Sequence, residues 1–273
     1  MRRVSFVVTI QGLFLWLVAW AGAQAADGIS PLRADAAGRG DGSAPPSLLL
    51  PSHVPVEGVS GTFSIVAVDP VAGTCGAAVA SKYPAVGKIV PYVRAGVGAF
   101  CTQHWHNPKW GDQALDLLAS GKGPEEVLGE LLKDDKQKDK RQLLLIDMQG
   151  RAVVRNPANP DLAGEIYWGA ISGRNFACAG NMIAGRDVLV AMAKAFEETR
   201  GSLADRLMAA LAAADAAGGD SRGRLAAGIR VAKQDIPGLW LDLQIERSAD
   251  AVNDLVKQYA ALQHAAKGEA RRP

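Results

Sequence analysis

The stretch that decides the fold is "EGVSGTFSIVAVDP", Glu57–Pro70. From Thr62 to Asp69 it is almost continuously apolar and β-branched, which predicts a buried β-strand that ends at the turn beginning with Pro70. The 36 or so residues before it (26–61) are rich in Ala, Gly, Pro and Ser and have no hydrophobic period. Such a composition buries too little apolar surface to offset its ordering entropy. We therefore predict a disordered linker or propeptide over 26–61 and a folded domain that starts at Thr62.

The first 25 residues have the pattern of an export signal. Arg2 and Arg3 precede a run without charge from Val4 to Ala26, and Ala23 and Ala25 form an A-x-A pattern near its end. This order of charge, apolar core and small residues is typical of a cleaved signal peptide. The apolar run also approaches the length of about 20 residues that a membrane span needs. The sequence predicts a periplasmic or secreted protein, and a retained anchor through residues 4–26 is the alternative.

Composition limits the classes of function. The chain of 273 residues carries 30 basic and 28 acidic residues, a net charge of +2. Nucleic-acid binding usually needs a concentrated basic face, so we expect no nucleic-acid partner. Residues 62–263 are of ordinary size for one domain, and 264–273 read as a frayed tail. The odd number of cysteines allows one disulfide with one thiol left over, but each cysteine lies in an apolar run, which favours three small buried side chains.

The order of predicted elements indicates the fold class. Strands at Thr62–Asp69 and Cys75–Ser81 and a glycine-broken strand region at Ile89–Thr102 precede two helices. The second of these helices is predicted to begin at Pro124, with Glu125 and Glu126 in its first turn. A hairpin (142–155) and a second pair of strands (165–179) follow, then two more helices, of which the second has a capping-box-like start at Ser202 and Asp205. Two strands near 225–232 and 239–246 and a last helix complete the order. Blocks of strands alternate with pairs of helices, which is not a βαβ pattern. Two antiparallel sheets with helices on their outer faces would use every apolar stripe. We predict an α+β, four-layer αββα sandwich.

The pair Gly61-Thr62 could supply a catalytic nucleophile. A threonine hydroxyl is a weak nucleophile unless a base lies beside it. An N-terminal threonine supplies its own base, because an α-amine has a pKa of about 7.7–8.0. That amine exists only after the bond between Gly61 and Thr62 is cut. Glycine tolerates the strained backbone that such a cut requires, although threonine at the start of a strand is also simply a good strand former.

Four stretches together resemble one bacterial family: "TFSIVAVDP", "AAVASKYPAVGKIVPYVRAGVGAFCTQ", "GNMIAGRDVLVAMAKAFE" and "AAGGDSRGR". The chain is similar, from Thr62 to about Leu262, to the family catalogued as domain of unknown function 1028. The resemblance implies an αββα fold like that of N-terminal-nucleophile (Ntn) hydrolases, with an amide or peptide hydrolase activity. In many relatives the threonine follows the initiator methionine directly. Here it follows a signal segment and a linker, so a second cut after Gly61 would be needed.

Two further residues, Asn181 and Lys82, are candidates for the catalytic machinery around Thr62, and Ser81 is a candidate substrate contact beside them. Asn181, in "AGNMIAG", could donate to an oxyanion, or could be a turn or helix-capping asparagine. Lys82 could hold the pKa of the amine down through like-charge repulsion, or, like Lys88, could be a solvated lysine of an exposed turn. Ser81, at the end of its strand, could contact the substrate or the amine.

The remaining site predictions concern substrate contacts. We expect Gln103 and His104 to line the cleft, since the alternative, a metal site built from His104 and His106, lacks a third ligand. Asp220, in the loop "GGDSRGR", could pair with Arg222, with Arg224 or with the amine of Thr62. Relatives commonly continue after this loop with Gln-Ser, where this chain has Leu225 and Ala226. No metal and no cofactor is expected.

The sequence thus predicts an exported hydrolase of a small amide or peptide substrate, with Thr62 as nucleophile, and, from the resemblance, a homodimer. The alternative is a catalytically inactive exported binding protein on the same fold, in which the uncut leader stays attached to Thr62. A third interpretation makes one cysteine the nucleophile, with Cys101 nearest to the expected cleft.

Overall fold

The computed structural model describes residues 61–158 and 167–269. The predicted signal peptide, almost all of the predicted linker and the last residues of the tail lie outside these ranges. Within them, none of the helices combines the length and the apolar character that crossing a bilayer requires.

The larger sheet is antiparallel and has six strands in the order β10-β9-β2-β1-β8-β7. Its first strand, β1, lies at the centre, paired with β2 on one side and β8 on the other. The apolar run after Gly61 is suited to this position, because a strand buried on both faces reads as a continuous hydrophobic segment. The strands are β1 (Thr62–Asp69), β2 (Thr74–Ser81), β7 (Tyr167–Gly173), β8 (Phe176–Ile183), β9 (Ala226–Lys233) and β10 (Leu241–Ile245).

The smaller sheet is antiparallel and has four strands in the order β3-β4-β5-β6. The strands are β3 (Pro91–Arg94), β4 (Gly98–His104), β5 (Arg141–Asp147) and β6 (Ala152–Arg155). In the register of β4 and β5, Gln103 lies opposite Gln142. This pairing puts two polar side chains at the same level of an otherwise apolar sheet.

Six α-helices complete the described part of the chain: α1 (Val86–Ile89), α2 (Trp110–Ala119), α3 (Pro124–Leu132), α4 (Arg186–Glu198), α5 (Leu203–Ala216) and α6 (Ala251–Glu269). One core lies between the larger sheet and α4, α5 and α6, and includes Phe63 and Phe196. A second lies between the two sheets and includes Val66 and Leu144. A third joins the smaller sheet to α2 and α3. The α+β class and the layered arrangement of two antiparallel sheets and outer helices are therefore as predicted.

Several local predictions agree with the structure in detail. The first strand has the predicted bounds, Thr62–Asp69. Pro124 occupies the first turn of α3, with Glu125 and Glu126 beside it. At the start of α5, the Ser202 hydroxyl accepts from the backbone N–H of Asp205, and the Asp205 carboxylate accepts from the backbone N–H of Ser202. This reciprocal capping box satisfies two donors that the helix leaves unpaired.

Two predicted boundaries differ from the structure. The region Ile89–Thr102 is not one glycine-broken strand but the end of α1 followed by the hairpin of β3 and β4. Gly96 has φ +71°, and the N–H of Val97 donates to the carbonyl of Arg94, so the glycine makes a tight turn rather than a bend. The last helix also continues to Glu269, beyond the predicted end at Gln263, because strong helix formers such as Ala265 and Ala266 extend it.

Two helical glycines give a matched test of the packing of α2 on the smaller sheet. A Cβ at Gly111 would lie 2.0 Å from the Tyr92 ring, whereas a Cβ at Gly129 would meet nothing within 4 Å. We expect Gly111→Ala to lower the free energy of unfolding by about 1–3 kcal/mol through overpacking. Gly129→Ala should raise it by about 0.5–1 kcal/mol, because alanine loses less backbone entropy. Urea denaturation measures both, and equal shifts would contradict the packing described here.

Candidate functional site

Thr62 begins the central strand of the larger sheet, and the register places it between two polar residues. Ser81, the last residue of β2, lies opposite Thr62 on one side, and Asn181 of β8 lies opposite it on the other. Thr62 is 3% exposed, and the other two are fully buried. Three predicted site residues, distant in sequence, thus meet at one end of the sheet.

A chain of hydroxyl groups joins Thr62 to the peptide bond that precedes it. The Thr62 hydroxyl donates to Ser81 Oγ at 3.1 Å, and the Ser81 hydroxyl donates to the Gly61 carbonyl oxygen at 2.5 Å. The backbone N–H of Tyr83 also donates to Ser81 Oγ, at 3.0 Å. A serine hydroxyl has one donor and two acceptor positions, so these three bonds use all of them. The arrangement fixes the direction of each proton along the chain.

Gly61 itself is held at both of its backbone polar groups. Its N–H donates to Asn181 Oδ1 at 2.7 Å, and its carbonyl accepts a second, longer bond from Arg222 Nη2 at 3.4 Å. Its φ is +112°, in the region that glycine adopts readily and other residues avoid. The carbonyl of the Gly61-Thr62 bond therefore faces a hydroxyl donor and a guanidinium.

Asp220 and Arg222 form the wall beside Gly61. The Asp220 side chain is fully buried, and its two oxygens accept from Arg222 Nη2 at 3.0 Å and Nε at 3.1 Å. They also accept from the backbone N–H groups of Arg222, at 3.0 Å, and Lys82, at 2.9 Å. Arg224 pairs with Asp215 instead. Of the pairings that the sequence left open, Asp220 uses Arg222, and the charge-assisted fork satisfies a carboxylate that would be costly to bury alone.

Beneath Thr62, a network of buried amides sets the orientation of Asn181. Gln142 Oε1 accepts from Asn181 Nδ2 and from Gln103 Nε2, each at 2.7 Å. Gln142 Nε2 donates to the Gly180 carbonyl at 3.0 Å, and the Ser64 hydroxyl donates to Gln103 Oε1 at 2.6 Å. Each amide has its oxygen facing donors and its nitrogen facing acceptors. Asn181 is therefore held with its oxygen, not its NH₂ group, toward Gly61.

Of the other predicted site residues, Lys82 and Lys88 are exposed, as the solvated-lysine alternative predicted, whereas Gln103 and His104 are buried. The Lys82 side chain is exposed, and the Lys82 contact with the site is its backbone N–H on Asp220. Lys88 forms an ion pair with Glu246. Gln103 is buried in the amide network rather than lining a cleft. His104, with φ +63°, is buried, and its Nδ1–H donates to the Lys140 carbonyl at 2.6 Å.

No group of three or more His, Cys, Asp or Glu side chains arranged to hold a metal ion occurs within 61–158 and 167–269. His106, the other histidine of the metal hypothesis, has a pKa lowered by burial and by the nearby Arg141 charge.

Two features of the site were not predicted from the sequence, the amide contacts of Gln142 and the contact of Arg222 with Gly61. Gln142 is the second residue of β5 and begins the stretch "QLLLID", and a polar residue at that position is a weak signal by itself. The loop "GGDSRGR" contains two arginines, and which of them reaches the Gly61 carbonyl depends on how the loop folds. Neither contact follows from spacing along the chain.

The surroundings of the three cysteines disfavour the nucleophilic thiolate form. Cys75, Cys101 and Cys178 are free and buried. Burial raises the pKa of each thiol to about 12, and for Cys101 this outweighs the Ser64 hydrogen bond, which acts in the opposite direction. A reactive cysteine needs a thiolate. The surroundings of Cys101 therefore argue against the cysteine interpretation.

Alkylation tests directly whether the three thiols are buried and protonated in the native protein. At pH 8 we expect the native protein to incorporate no iodoacetamide within a time that fully alkylates free cysteine, because burial keeps the three thiols protonated and inaccessible. In guanidinium chloride, where the cysteine pKa returns to about 8.5, mass spectrometry should detect three adducts. Rapid labelling of Cys101 in the native state would contradict this account.

Comparisons with known proteins agree with the fold. Protein SPO2555 from Silicibacter pomeroyi, whose crystal structure carries the same family assignment, matches with a TM-score of 0.67 and 30% sequence identity. The match covers 74% of this chain and 86% of that one. No curated protein matches. The model of the family of unknown function DUF1028 matches residues 62–255, from the threonine at the start of β1 into α6. The chain therefore belongs to the DUF1028 family.

Proposed function

We propose that the chain is an exported amide or peptide hydrolase whose nucleophile is the Thr62 hydroxyl, exposed when the bond after Gly61 is cut. The observation that carries the proposal is the hydroxyl chain from Thr62 through Ser81 to the Gly61 carbonyl. It joins a potential nucleophile, a proton relay and the carbonyl that would be attacked. An ordinary first strand residue does not require any of these bonds.

The cut can proceed within the chain. Thr62 Oγ forms a bond to the Gly61 carbonyl carbon, its proton passes to Ser81 Oγ, and the Ser81 proton passes to the carbonyl oxygen. The tetrahedral intermediate then collapses, the Gly61–Thr62 C–N bond breaks, and the nitrogen takes up the proton. The product is an ester between Gly61 and Thr62 Oγ. Water hydrolyses this ester and leaves Thr62 as the new N-terminus.

Charge that develops on the carbonyl oxygen during attack needs donors aimed at it. Ser81 and Arg222 already donate to this oxygen in the uncut chain. We assign the oxyanion role to them rather than to Asn181, because the Asn181 amide turns its oxygen to Gly61 and its nitrogen to Gln142. Asn181 instead positions the acyl group, because its Oδ1 accepts a hydrogen bond from the Gly61 N–H.

After the cut, the α-amine of Thr62 is the base that the hydroxyl requires. Its ordinary pKa of about 7.7–8.0 leaves a large neutral fraction near pH 8. Thr62 keeps its place because β1 is paired on both sides. The same hydroxyl then attacks a substrate amide, with Ser81 and Arg222 on the new oxyanion.

One observation favours a second candidate, a binding protein without catalysis. With the leader attached, Gly61 makes bonds at both its N–H and its carbonyl and fills the space next to Thr62. A chain that stayed uncut would have no free amine and no room for a substrate at this point. The state of the N-terminus distinguishes the two candidates.

The first test expresses the wild type and two variants as full-length chains and isolates each from the periplasm. Intact mass and N-terminal sequencing then give the residue at which each processed chain begins. We expect the wild type to begin at Thr62. Thr62→Ser, which keeps a hydroxyl, should also begin at residue 62, whereas Thr62→Ala should remain longer and begin near Ala26. A wild-type chain that begins near Ala26 would exclude the N-terminal-nucleophile mechanism and leave the binding protein.

The second test addresses the relay. Ser81→Ala removes both the proton path and the donor to the Gly61 carbonyl, and should slow the cut by about 100-fold or more, the usual contribution of a positioned acid–base group. Ser120→Ala is the matched control, because the exposed Ser120 hydroxyl at the end of α2 also donates to a carbonyl, that of Leu117, and does not belong to the site. Its rate should equal the wild-type rate. A Ser81→Ala chain that cuts as fast as the wild type would refute the relay.

A further inference from the structure

We propose, resting on the function proposed above, that Asp220 and Arg222 restrict the substrate to amides whose acyl-side residue is an N-acylated glycine. The enzyme would thus hydrolyse peptides and acylglycyl amides on the carboxyl side of glycine. The two residues select by occupying the space that any other L-residue would need for its side chain.

Gly61 represents the acyl half of such a substrate. Attack of Thr62 Oγ on Gly61 gives an ester of a glycyl carbonyl with the threonine oxygen. Attack on a substrate amide gives an ester with the same connectivity, at the same oxygen. The groups around Gly61 in the uncut chain are therefore the groups that surround the acyl residue of a substrate during its turnover.

The space beside the Gly61 α-carbon is filled. A Cβ on the L side of Gly61 would lie 2.1 Å from Arg222 Nη2 and 2.5 Å and 2.6 Å from the two Asp220 carboxylate oxygens. These distances are far inside van der Waals contact, and the φ of +112° adds strain for any L-residue. Alanine, with the smallest side chain after glycine, already collides with both residues.

The carboxylate has little room to retreat. Asp220 is 1% exposed and accepts from the backbone N–H groups of Lys82 and Arg222, neither of which depends on Gly61. Its backbone forms a bridge with Ile183. These bonds persist when the leader leaves. Arg222, with 31% of its side chain exposed, could swing outward, but Asp220 would still exclude a methyl group.

Asn181 restricts the range of substrates further. Asn181 Oδ1 accepts the Gly61 N–H at 2.7 Å and is fixed in that direction by Gln142. A buried acceptor that loses its donor costs binding free energy. The acyl-side glycine therefore needs a free N–H, as in a peptide or an N-acylglycine, and an N-methylglycine fits less well.

The reaction needs no reactant other than water. Thr62 Oγ bonds to the glycyl carbonyl carbon, the substrate C–N bond breaks, and the amine leaves with the proton that the Thr62 α-amine took from the hydroxyl. Water then cleaves the ester, releasing a glycine carboxylate and restoring the threonine.

The experiment compares three anilides with the same leaving group, N-acetylglycyl, N-acetyl-L-alanyl and N-acetylsarcosyl. The wild-type protein is expressed as the full-length chain and assayed after processing, when it begins at Thr62. We expect kcat/KM for the glycyl compound to exceed that for each of the others by about 100-fold, since displacing the reacting carbonyl by about 1 Å costs that much. Equal rates for the glycyl and alanyl compounds would overturn the exclusion by Asp220 and Arg222. An equal rate for the sarcosyl compound would overturn the role of Asn181.

If no anilide is hydrolysed, the proposed function fails, and a measurement without catalysis still decides the exclusion. In an uncut Thr62→Ala background, Gly61→Ala is compared with Gly121→Ala. Gly121 has φ +94° and open space around its Cβ position, so it controls for backbone strain. We expect Gly61→Ala to lower the melting temperature clearly more than Gly121→Ala. Equal decreases would show that a side chain fits beside Asp220, and would overturn the proposal.

Discussion

The hydrogen bond from the Ser81 hydroxyl to the Gly61 carbonyl is the interaction on which the candidate site depends. It exists because β1 and β2 pair in a register that ends with Thr62 opposite Ser81. A slip by one residue would turn every side chain of β1 to the opposite face. The hydrophobic cores on both sides of the larger sheet prevent such a slip, since Phe63 and Ile65 face the helices while Val66 and Val68 face the other sheet. The packing of apolar residues thus fixes the position of a hydroxyl.

The amide side chains beneath Thr62 lose their hydration when they are buried, and the hydrogen bonds that they make with each other offset this loss. Gln103, Gln142 and Asn181 are almost completely buried between two sheets, where an unpaired amide would be strongly unfavourable. Each is paired with the next, and the network connects the smaller sheet to the larger one. A fully satisfied buried network rigidifies its members. Asn181 is consequently a fixed acceptor rather than a side chain free to rotate toward a developing charge.

The loop that carries Asp220 and Arg222 gives the site its shape. The Asp220 carboxylate is buried and the Arg222 side chain is partly exposed, and both pack against Gly61, which has no side chain. The glycine before Thr62 therefore has two physical reasons, its positive φ and the lack of space for a Cβ. The first of these reasons was foreseen from the sequence as tolerance of strain. The second depends on a loop more than 150 residues away in the chain.

The sequence by itself determined the strand Thr62–Asp69, the capping box at Ser202 and the α+β class. These follow from local hydrophobic period, turn residues and helix caps, which act over a few residues. It also singled out Thr62, Ser81, Asn181 and Asp220 as candidates. Only the tertiary structure decided that these four surround Gly61, that Asn181 faces it with an oxygen, and that Gln103 and His104 are bonded elsewhere. Register between distant strands and the direction of an amide are set by long-range pairing and by competition among buried partners, and neither leaves a signal in residue spacing.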